Sequence, residues 1–433
     1  MRTTSATPDA IRSWGEINFS RAKKSVKKLQ RRIATAVSNN DFEKATILQH
    51  QMVHSFYAKA LAVKAVTSKK GKNTAGVDGV IWRTPEDKFN AISSLSRRGY
   101  KYSPLRRIYV PKADGGMRAI SIPTMKDRAL QTLHKFALEP IEEVTADENS
   151  FGFRPGRNAG QAIQRLIEIL SHEPYPEWIL KTDVKSFFDN IRQDWVMKHI
   201  PMDKSVLHGL LSSGYIYSSI YYGTDDGISE GGSLSNVVSN MVMDGLADVL
   251  YTSGGCYTSG DHYTSGSHGI DMIRYADDIV IVSDNQLFLW GAANRVSHFL
   301  AERGLSLSQE KTRIHNVKDG ITFLGYEVHK DNGVVYAVPS KRGIDSVLSK
   351  VKKLVTFWPV YEDDSKKIKE CSNSLKSIIG GWLTCYRGTA TTESLFEIRD
   401  KIVLEVAKLA GRAGHPVANQ VLKIFDKLMK EDQ

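Results

Sequence analysis

Cysteine is nearly absent from this 433-residue chain. Cys256, Cys371 and Cys385 lie far apart and form no Cys-x-x-Cys pair. That argues against a disulfide framework and a zinc site, and it fits a reducing cytoplasm. No apolar run is long enough to span a bilayer, so no membrane partner is expected. The residues up to Ser20 lack an apolar core, so no secretory signal is expected either. Acid is outweighed by base. Lys and Arg number 59 against 48 Asp and Glu, a net charge of +11, and the pI is about 9.3. A polyanionic partner suits that balance, although many basic faces are merely solvated. The apolar share, 41%, is enough for packed cores, and the length predicts two or three lobes.

The stretch from Asp271 to Asp284 reads Asp-Met-Ile-Arg-Tyr-Ala-Asp-Asp-Ile-Val-Ile-Val-Ser-Asp. Its flanks are short, apolar and β-branched, which favours strands. Ala276-Asp277-Asp278 reads as the tight turn of a hairpin. Two adjacent carboxylates are costly to bury unpaired. They suit either a solvated turn or the mouth of a sheet, where a divalent cation neutralises them.

Residues 9 to about 70 predict helices. Trp14, Ile17, Phe19, Val26, Leu29, Ile33 and Val37 recur at near-helical spacing. Basic residues including Lys27 and Arg31 lie between them, as a solvated face or a phosphate-contacting arm. A second helix follows, with a stripe from Ala45 to Val66. Lys69-Lys70-Gly71-Lys72-Asn73 then breaks the pattern. Arg106 to Pro111 and Met117 to Pro123 predict two strands joined by an Asp-Gly-Gly turn. Lys112 and Arg118 flank that turn, either gripping a triphosphate or decorating an ordinary charged hairpin. Asp127 to Ile141 predicts a helix ending near Pro140. Phe151-Gly152-Phe153-Arg154-Pro155-Gly156-Arg157-Asn158 is a broken loop. Its aromatics and arginines suit either base stacking with phosphate contact or a buried corner.

Trp178 to Val184 predicts a strand that delivers Asp183. Phosphoryl or nucleotidyl transfer by two metals needs acidic ligands from different strands. Mg²⁺ keeps waters and takes few carboxylates, so Asp183 with Asp277 and Asp278 would suffice. Gly227 to Asn236 is a Gly-rich loop entering a helix over 237–250, and Gly231 and Gly232 would let a nucleotide or template approach the backbone. Three Tyr-Thr-Ser-Gly copies, at Tyr251, Tyr257 and Tyr263, are too few for a solenoid and read as a surface loop. Beyond Ser340 the chain is helical and basic, interrupted at Gly380-Gly381. Such a lobe suits duplex backbone contact.

Taken in order, these blocks resemble a reverse transcriptase of the group II intron type, over nearly the whole chain from about Trp14. Tyr275-Ala276-Asp277-Asp278 matches the second metal block and Thr182 to Ile191 the first. Arg106 to Pro123 resembles the nucleotide-gripping block. Phe323-Leu324-Gly325 resembles the primer grip, and Ile378 to Tyr386 the maturase-type thumb. The resemblance implies an α+β right-hand polymerase: a helical basic extension over 1–72, fingers and an antiparallel palm over 73–340, and a helical thumb over 341–433. It implies two Mg²⁺ ions, with Mn²⁺ as an alternative, on Asp183, Asp277, Asp278 and the Val184 carbonyl. Phe188 would be the gate against a ribose 2′-OH. Lys112 and Arg118 would contact the triphosphate, and Lys311 would protonate pyrophosphate. The implied partners are an RNA template, dNTPs and the DNA product, with Lys27, Arg31, Arg154 and Arg157 as RNA contacts.

Two departures bear on the role. The family usually has Thr-Pro-Gln-Gly-Gly and Ser-Pro, where this chain has Ile228-Ser229-Glu230-Gly231-Gly232 and Ser235-Asn236. Glu230 would sit unfavourably beside a triphosphate unless protonated or turned away. No His-Asn-His nuclease or Cys-rich module is encoded up to Gln433. The expected role is therefore copying of a cognate structured or non-coding RNA in bacterial antiviral defence. An intron maturase and a non-catalytic RNA-binding splicing factor are the alternatives.

Overall fold

A computed structural model describes residues 11–96, 101–111, 115–172, 176–251, 270–356, 365–409 and 416–430. Lys112, Cys256 and the Tyr-Thr-Ser-Gly repeats beyond Tyr251 lie outside the described residues. In chain order the elements are α1 (Phe19–Ser38), α2 (Phe42–His54), α3 (Phe56–Ser68), α4 (Pro85–Ser94), β1 (Leu105–Pro111), β2 (Met117–Ile122), α5 (Met125–Thr145), α6 (Ala159–Ser171) and β3 (Trp178–Asp183). Next come α7 (Phe187–Asn190), α8 (Gln193–His199), α9 (Lys204–Leu211), β4 (Tyr215–Tyr217), β5 (Ile220–Tyr222), α10 (Ser235–Met243), α11 (Leu246–Tyr251), β6 (Ile270–Tyr275) and β7 (Asp278–Ser283). The chain ends with α12 (Gln286–Ala301), β8 (Arg313–Asn316), β9 (Ile321–Phe323), β10 (Tyr326–Asp331), β11 (Val334–Pro339), α13 (Lys341–Thr356), α14 (Ser365–Tyr386), α15 (Thr392–Leu409) and α16 (Pro416–Lys430). Contacts divide it into two compact units. One comprises Met1–Glu148, Asp183–Leu250 and Asn294–Ser308, the other Asn149–Thr182, Tyr251–Ala293 and Gln309–Gln433.

In the first unit, α1, α2 and α3 pack on α5. Asn18 caps α1 by accepting from the Arg21 amide at 2.9 Å, and Ala22, Val26, Ile33, Ala36 and Val37 are buried. Lys27 and Arg31 are exposed on the opposite face. The stripe from Ala45 to Val66 proves to be two helices. Ser55 ends α2 and its hydroxyl caps α3, accepting from the Ala58 amide. The sheet of this unit has the order β2-β1-β4-β5. β1 is antiparallel to β2 and parallel to β4.

Helix α5 does not stop at Pro140 but runs on to Thr145. A proline inside a helix leaves the carbonyl four residues back without its amide donor. That carbonyl belongs to Phe136, and it accepts instead from Gln30 Nε2 of α1 at 3.2 Å. The neighbouring Ala137 carbonyl receives Gln49 Nε2 of α2 at 3.4 Å. The helix therefore passes its proline with the one carbonyl it orphans satisfied by a glutamine of a packed helix.

The second unit holds two sheets of order β6-β7-β3-β8 and β11-β10-β9. β6 and β7 are antiparallel, as are β3 and β8. The segment Phe323 to Val328, which contains the block resembling the primer grip, is a hairpin corner. Leu324 and Gly325 form a two-residue turn at φ 49° and 87° between β9 and β10. Helix α14 runs unbroken through Gly380-Gly381, where the sequence predicts an interruption. Ile379, Trp382, Leu383 and Tyr386 are buried one turn apart on it, and their packing outweighs the roughly 1 kcal/mol that each helical glycine costs. The helix 237–250 is likewise two, α10 and α11, parted by Gly245 at φ 86°.

The Gln30–Phe136 bond has a measurable signature. Gln30→Ala should cost about 1 kcal/mol in urea unfolding, because it strips a buried carbonyl of its donor. In a Pro140→Ala background, residue 140 regains an amide for that carbonyl, and Gln30→Ala should cost much less. Equal costs in both backgrounds would show that the glutamine acts by packing alone.

Candidate active site

The hairpin β6–β7 closes on two residues, with Tyr275 paired to Asp278. Ala276 sits at φ 57°, a conformation that costs a residue with a Cβ about 1 kcal/mol or more. Asp277 completes the turn and Asp278 opens β7, and both are half-buried. The expected hairpin and its carboxylate pair are thus present.

What holds the turn was not foreseen from the motif. The segment Ser150 to Gly152 lies along β6, where the Arg274 amide donates to the Asn149 carbonyl and the Phe151 amide donates to Arg274, both at 2.9 Å. This brings Gly152 onto the turn. A Cβ there would stand 2.3 Å from the Ala276 nitrogen and 2.8 Å from the Tyr275 carbonyl carbon. Only glycine admits so close a backbone. Arg154, 5% exposed, donates to the Ser150 carbonyl at 2.9 Å. Arg157 donates to the same oxygen at 3.1 Å and lies over the buried Phe151 ring. The two arginines bind this loop to itself, while Phe153 is exposed.

Asp183 is the last residue of β3 and is 9% exposed. Its carbonyl accepts from the Ser308 amide at 2.8 Å, Val184 bridges Leu307, and the Lys185 amide donates to Ser306 at 2.9 Å. Val184 is buried. Ser186, at φ 46°, then turns the chain into α7, which carries Phe188. The Gly-rich loop is tied to this helix: the Ile228 amide donates to the Phe188 carbonyl at 2.7 Å, and the Gly227 amide to Ile191 at 2.9 Å.

Gly231 is exposed at φ 108°, with its Cα side against the Ser121 carbonyl of β2. Gly232 is buried, and a Cβ on it would meet Gln131 Oε1 at 2.6 Å and Ser235 Oγ at 2.7 Å. The Arg118 Nε donates to Glu230 at 3.1 Å. The acid that departs from the family pattern is therefore paired with the very arginine expected to hold a triphosphate. It is neither isolated nor turned away. Lys311 is exposed two residues before β8.

Among the described residues, no three His, Cys, Asp or Glu side chains gather as a metal-holding group. The donor chemistry still fits a hard divalent ion. Mg²⁺ is commonly held by one or two carboxylates together with substrate phosphates and water. Adjacent carboxylates at Asp277 and Asp278 offer such oxygens.

Comparison with known proteins identifies the family. Residues 110–328 match the family described as reverse transcriptase (RNA-dependent DNA polymerase). Residues 14–95 match an N-terminal domain of reverse transcriptase. The chain belongs to the reverse transcriptase family and is by class an RNA-directed DNA polymerase, built here from mixed helix and antiparallel sheet. Among its relatives is the Protein YkfC of Escherichia coli, 27% identical over 302 residues, covering 62% of this chain and 79% of that one. The group II intron-encoded protein LtrA of Lactococcus lactis is 29% identical over 193 residues, 42% of this chain and 32% of its own length. The putative COX1/OXI3 intron 2 protein of Saccharomyces cerevisiae is 27% identical over 320 residues, 62% of this chain and 37% of its own. This chain thus spans about a third of the two intron proteins' lengths. Among the described residues no helix is long and apolar enough to cross a membrane.

The fit of Gly152 to the turn can be tested directly. Gly152→Ala should lower stability by roughly 1–3 kcal/mol, the usual range for overpacking, and should reduce nucleotide incorporation further than its loss of folded protein explains. Gly15→Ala, with nothing within 4 Å of the added carbon, should change neither. Wild-type melting and activity for Gly152→Ala would mean that the turn tolerates displacement.

Proposed function

We propose that the protein extends a primer 3′-OH with dNTPs against an RNA template, using Asp183, Asp277 and Asp278, with the Val184 carbonyl, to hold two divalent ions. The observation that carries the reading is the Tyr275-Ala276-Asp277-Asp278 turn, which lies within the residues matching the family. The sheet topology supports it. Asp278 begins β7 and Asp183 ends β3, and these strands are neighbours in one sheet. When bound, such ions lower the pKa of the attacking hydroxyl and offset charge on the departing pyrophosphate. The 3′-oxygen forms its bond to the α-phosphorus as the bond to the bridging oxygen breaks.

The remaining roles belong to this chain's own side chains. Arg118, with Lys112, holds the triphosphate. Phe188 fills the space a 2′-hydroxyl would need, and Gly231 and Gly232 let the nucleotide approach the backbone. Lys311 returns a proton to pyrophosphate. Lys27 and Arg31, exposed on α1, and the half-buried Arg157 serve the RNA, while Arg154, expected as a further contact, is buried and holds its own loop's backbone. In the right-hand arrangement this reading implies, the first sheet is the fingers, the sheet with β7 the palm, and α13–α16 the thumb. The cell compartment is the cytoplasm.

Copying a cognate structured RNA in antiviral defence rests on sequence alone. That two of the relatives are intron proteins favours the second role, a group II intron maturase acting in splicing and retrohoming. Sequencing the RNA that copurifies with the protein separates the two, since intron domains would identify the maturase.

Asp277→Ala with Asp278→Ala should abolish dNTP incorporation on an RNA template while RNA binding persists. Incorporation by that variant would refute the site, and no incorporation by the wild type with any primer would favour a splicing factor that only binds RNA. Glu230→Gln releases Arg118 from an exposed ion pair worth at most about 1 kcal/mol. It should therefore lower KM for dNTP by up to about fivefold with little change in kcat. A raised KM would show that Glu230 positions Arg118 productively.

A further inference from the structure

The sheet β2-β1-β4-β5 carries an aromatic face that neither its own unit nor the proposed chemistry uses. Register sorts its residues. β1 pairs Leu105 with Tyr215 of β4, and β4 pairs Tyr215 with Tyr222 and Tyr217 with Ile220 of β5. Alternation then puts Arg107, Tyr109, Tyr215, Tyr217, Ile220 and Tyr222 on one side. The rings bear this out. Tyr109 and Tyr217 meet edge to face at 5.0 Å, Tyr215 and Tyr222 stack at 5.1 Å with planes 14° apart, and the Arg107 guanidinium lies 3.5 Å over Tyr215. Arg107 is fixed there by hydrogen bonds of 3.3 and 3.2 Å to Ser121 Oγ.

This face is open. Tyr109 is 41% exposed, Tyr217 40%, Ile220 57% and Tyr222 39%. A cluster of large rings on a folded surface marks a contact site. The hairpin beneath it is stiff: Ser218 and Ser219 take φ 48° and 67°, both left-handed, closing β4 on β5 with a two-residue turn. The four strands contain no carboxylate, and of their three arginines Arg107 shares the tyrosine side, whereas Arg106 and Arg118 alternate to the opposite face. Exposed rings beside the fixed guanidinium of Arg107 suit unpaired bases and their phosphates. An acid-free, arginine-bearing sheet in a chain of net charge +11 favours a polyanion over an apolar protein surface.

We infer that this tyrosine face is a stacking platform for an unpaired stretch of RNA, with Tyr109, Tyr217 and Tyr222 receiving bases and Arg107 the strand's charge. It deepens the reading of the protein as an RNA-copying enzyme, on which the choice of RNA rests, and it names a surface for template bases outside the duplex.

The test is fluorescence anisotropy of the full chain with a labelled single-stranded oligoribonucleotide, without dNTPs or divalent ions. Tyr217→Ala with Tyr222→Ala should weaken binding by tenfold or more, since each lost stack is worth about that factor. Tyr217→Phe with Tyr222→Phe, which keeps the rings, should bind as the wild type does. Tyr217→Leu with Tyr222→Leu, apolar but without rings, should behave like the alanine pair. Unchanged affinity in the folded alanine and leucine variants overturns the proposal. So does an unchanged affinity accompanied by a loss of self-association, which would make the face a contact between copies. Because the assay needs no catalysis, a failure of primer extension by the wild type would sink the polymerase reading while leaving this result standing.

Discussion

Two carboxylates carried on a two-residue turn constrain everything around them. The turn needs a left-handed φ at Ala276, a residue that does not favour it. Such a conformation persists only where neighbours determine it. Here the neighbour is the backbone at Gly152, pressed so close that no side chain fits between. The loop that supplies Gly152 is fastened by Arg154 and Arg157 to a single carbonyl, that of Ser150. Charge from two guanidinium groups is thus spent on positioning a backbone, and through it the pair Asp277 and Asp278.

The same economy recurs at the Gly-rich loop. Gly227 packs against the backbone of α7 at Phe188 and Asp189, Gly231 rides against β2, and Gly232 seats on Gln131 and Ser235. A short segment therefore couples the helix bearing Phe188 to the strand bearing Arg118. Glu230, placed in that segment, meets Arg118 at 3.1 Å. A substrate phosphate would have to compete with an internal anion for this arginine. Exposed pairs of this sort are weak, so the competition modulates affinity without forbidding binding.

The parts of the fold that were legible in the sequence are those with local periodicity or local turn chemistry. The hairpin around Asp277 and Asp278, the β1–β2 pair and the basic face of α1 all follow from spacing of neighbours along the chain. What was not legible depends on partners distant in sequence. Nothing near Pro140 announces that Gln30 will satisfy the Phe136 carbonyl, 106 positions away. Gly380 and Gly381 read as a break because their cost is local, whereas the packing that outweighs it comes from other helices. Gly152 looked like one glycine of a loop, and its meaning lies in a contact with Ala276. The β4–β5 hairpin carries no local signal, because its turn is Ser218-Ser219 without the Asn-Gly or Asp-Gly signature that marks such corners.

The proposed polymerase chemistry requires Asp183 and the Asp277–Asp278 turn to share bound divalent ions. Replacing Mg²⁺ with Fe²⁺ in the presence of primer, RNA template and dNTP, then generating hydroxyl radicals at the bound ion, maps the polypeptide around it. The account predicts backbone cuts at both the Asp183–Val184 and the Ala276–Asp278 segments, lost together when excess Mg²⁺ is added. Cuts confined to one segment, or spread without preference, would contradict it.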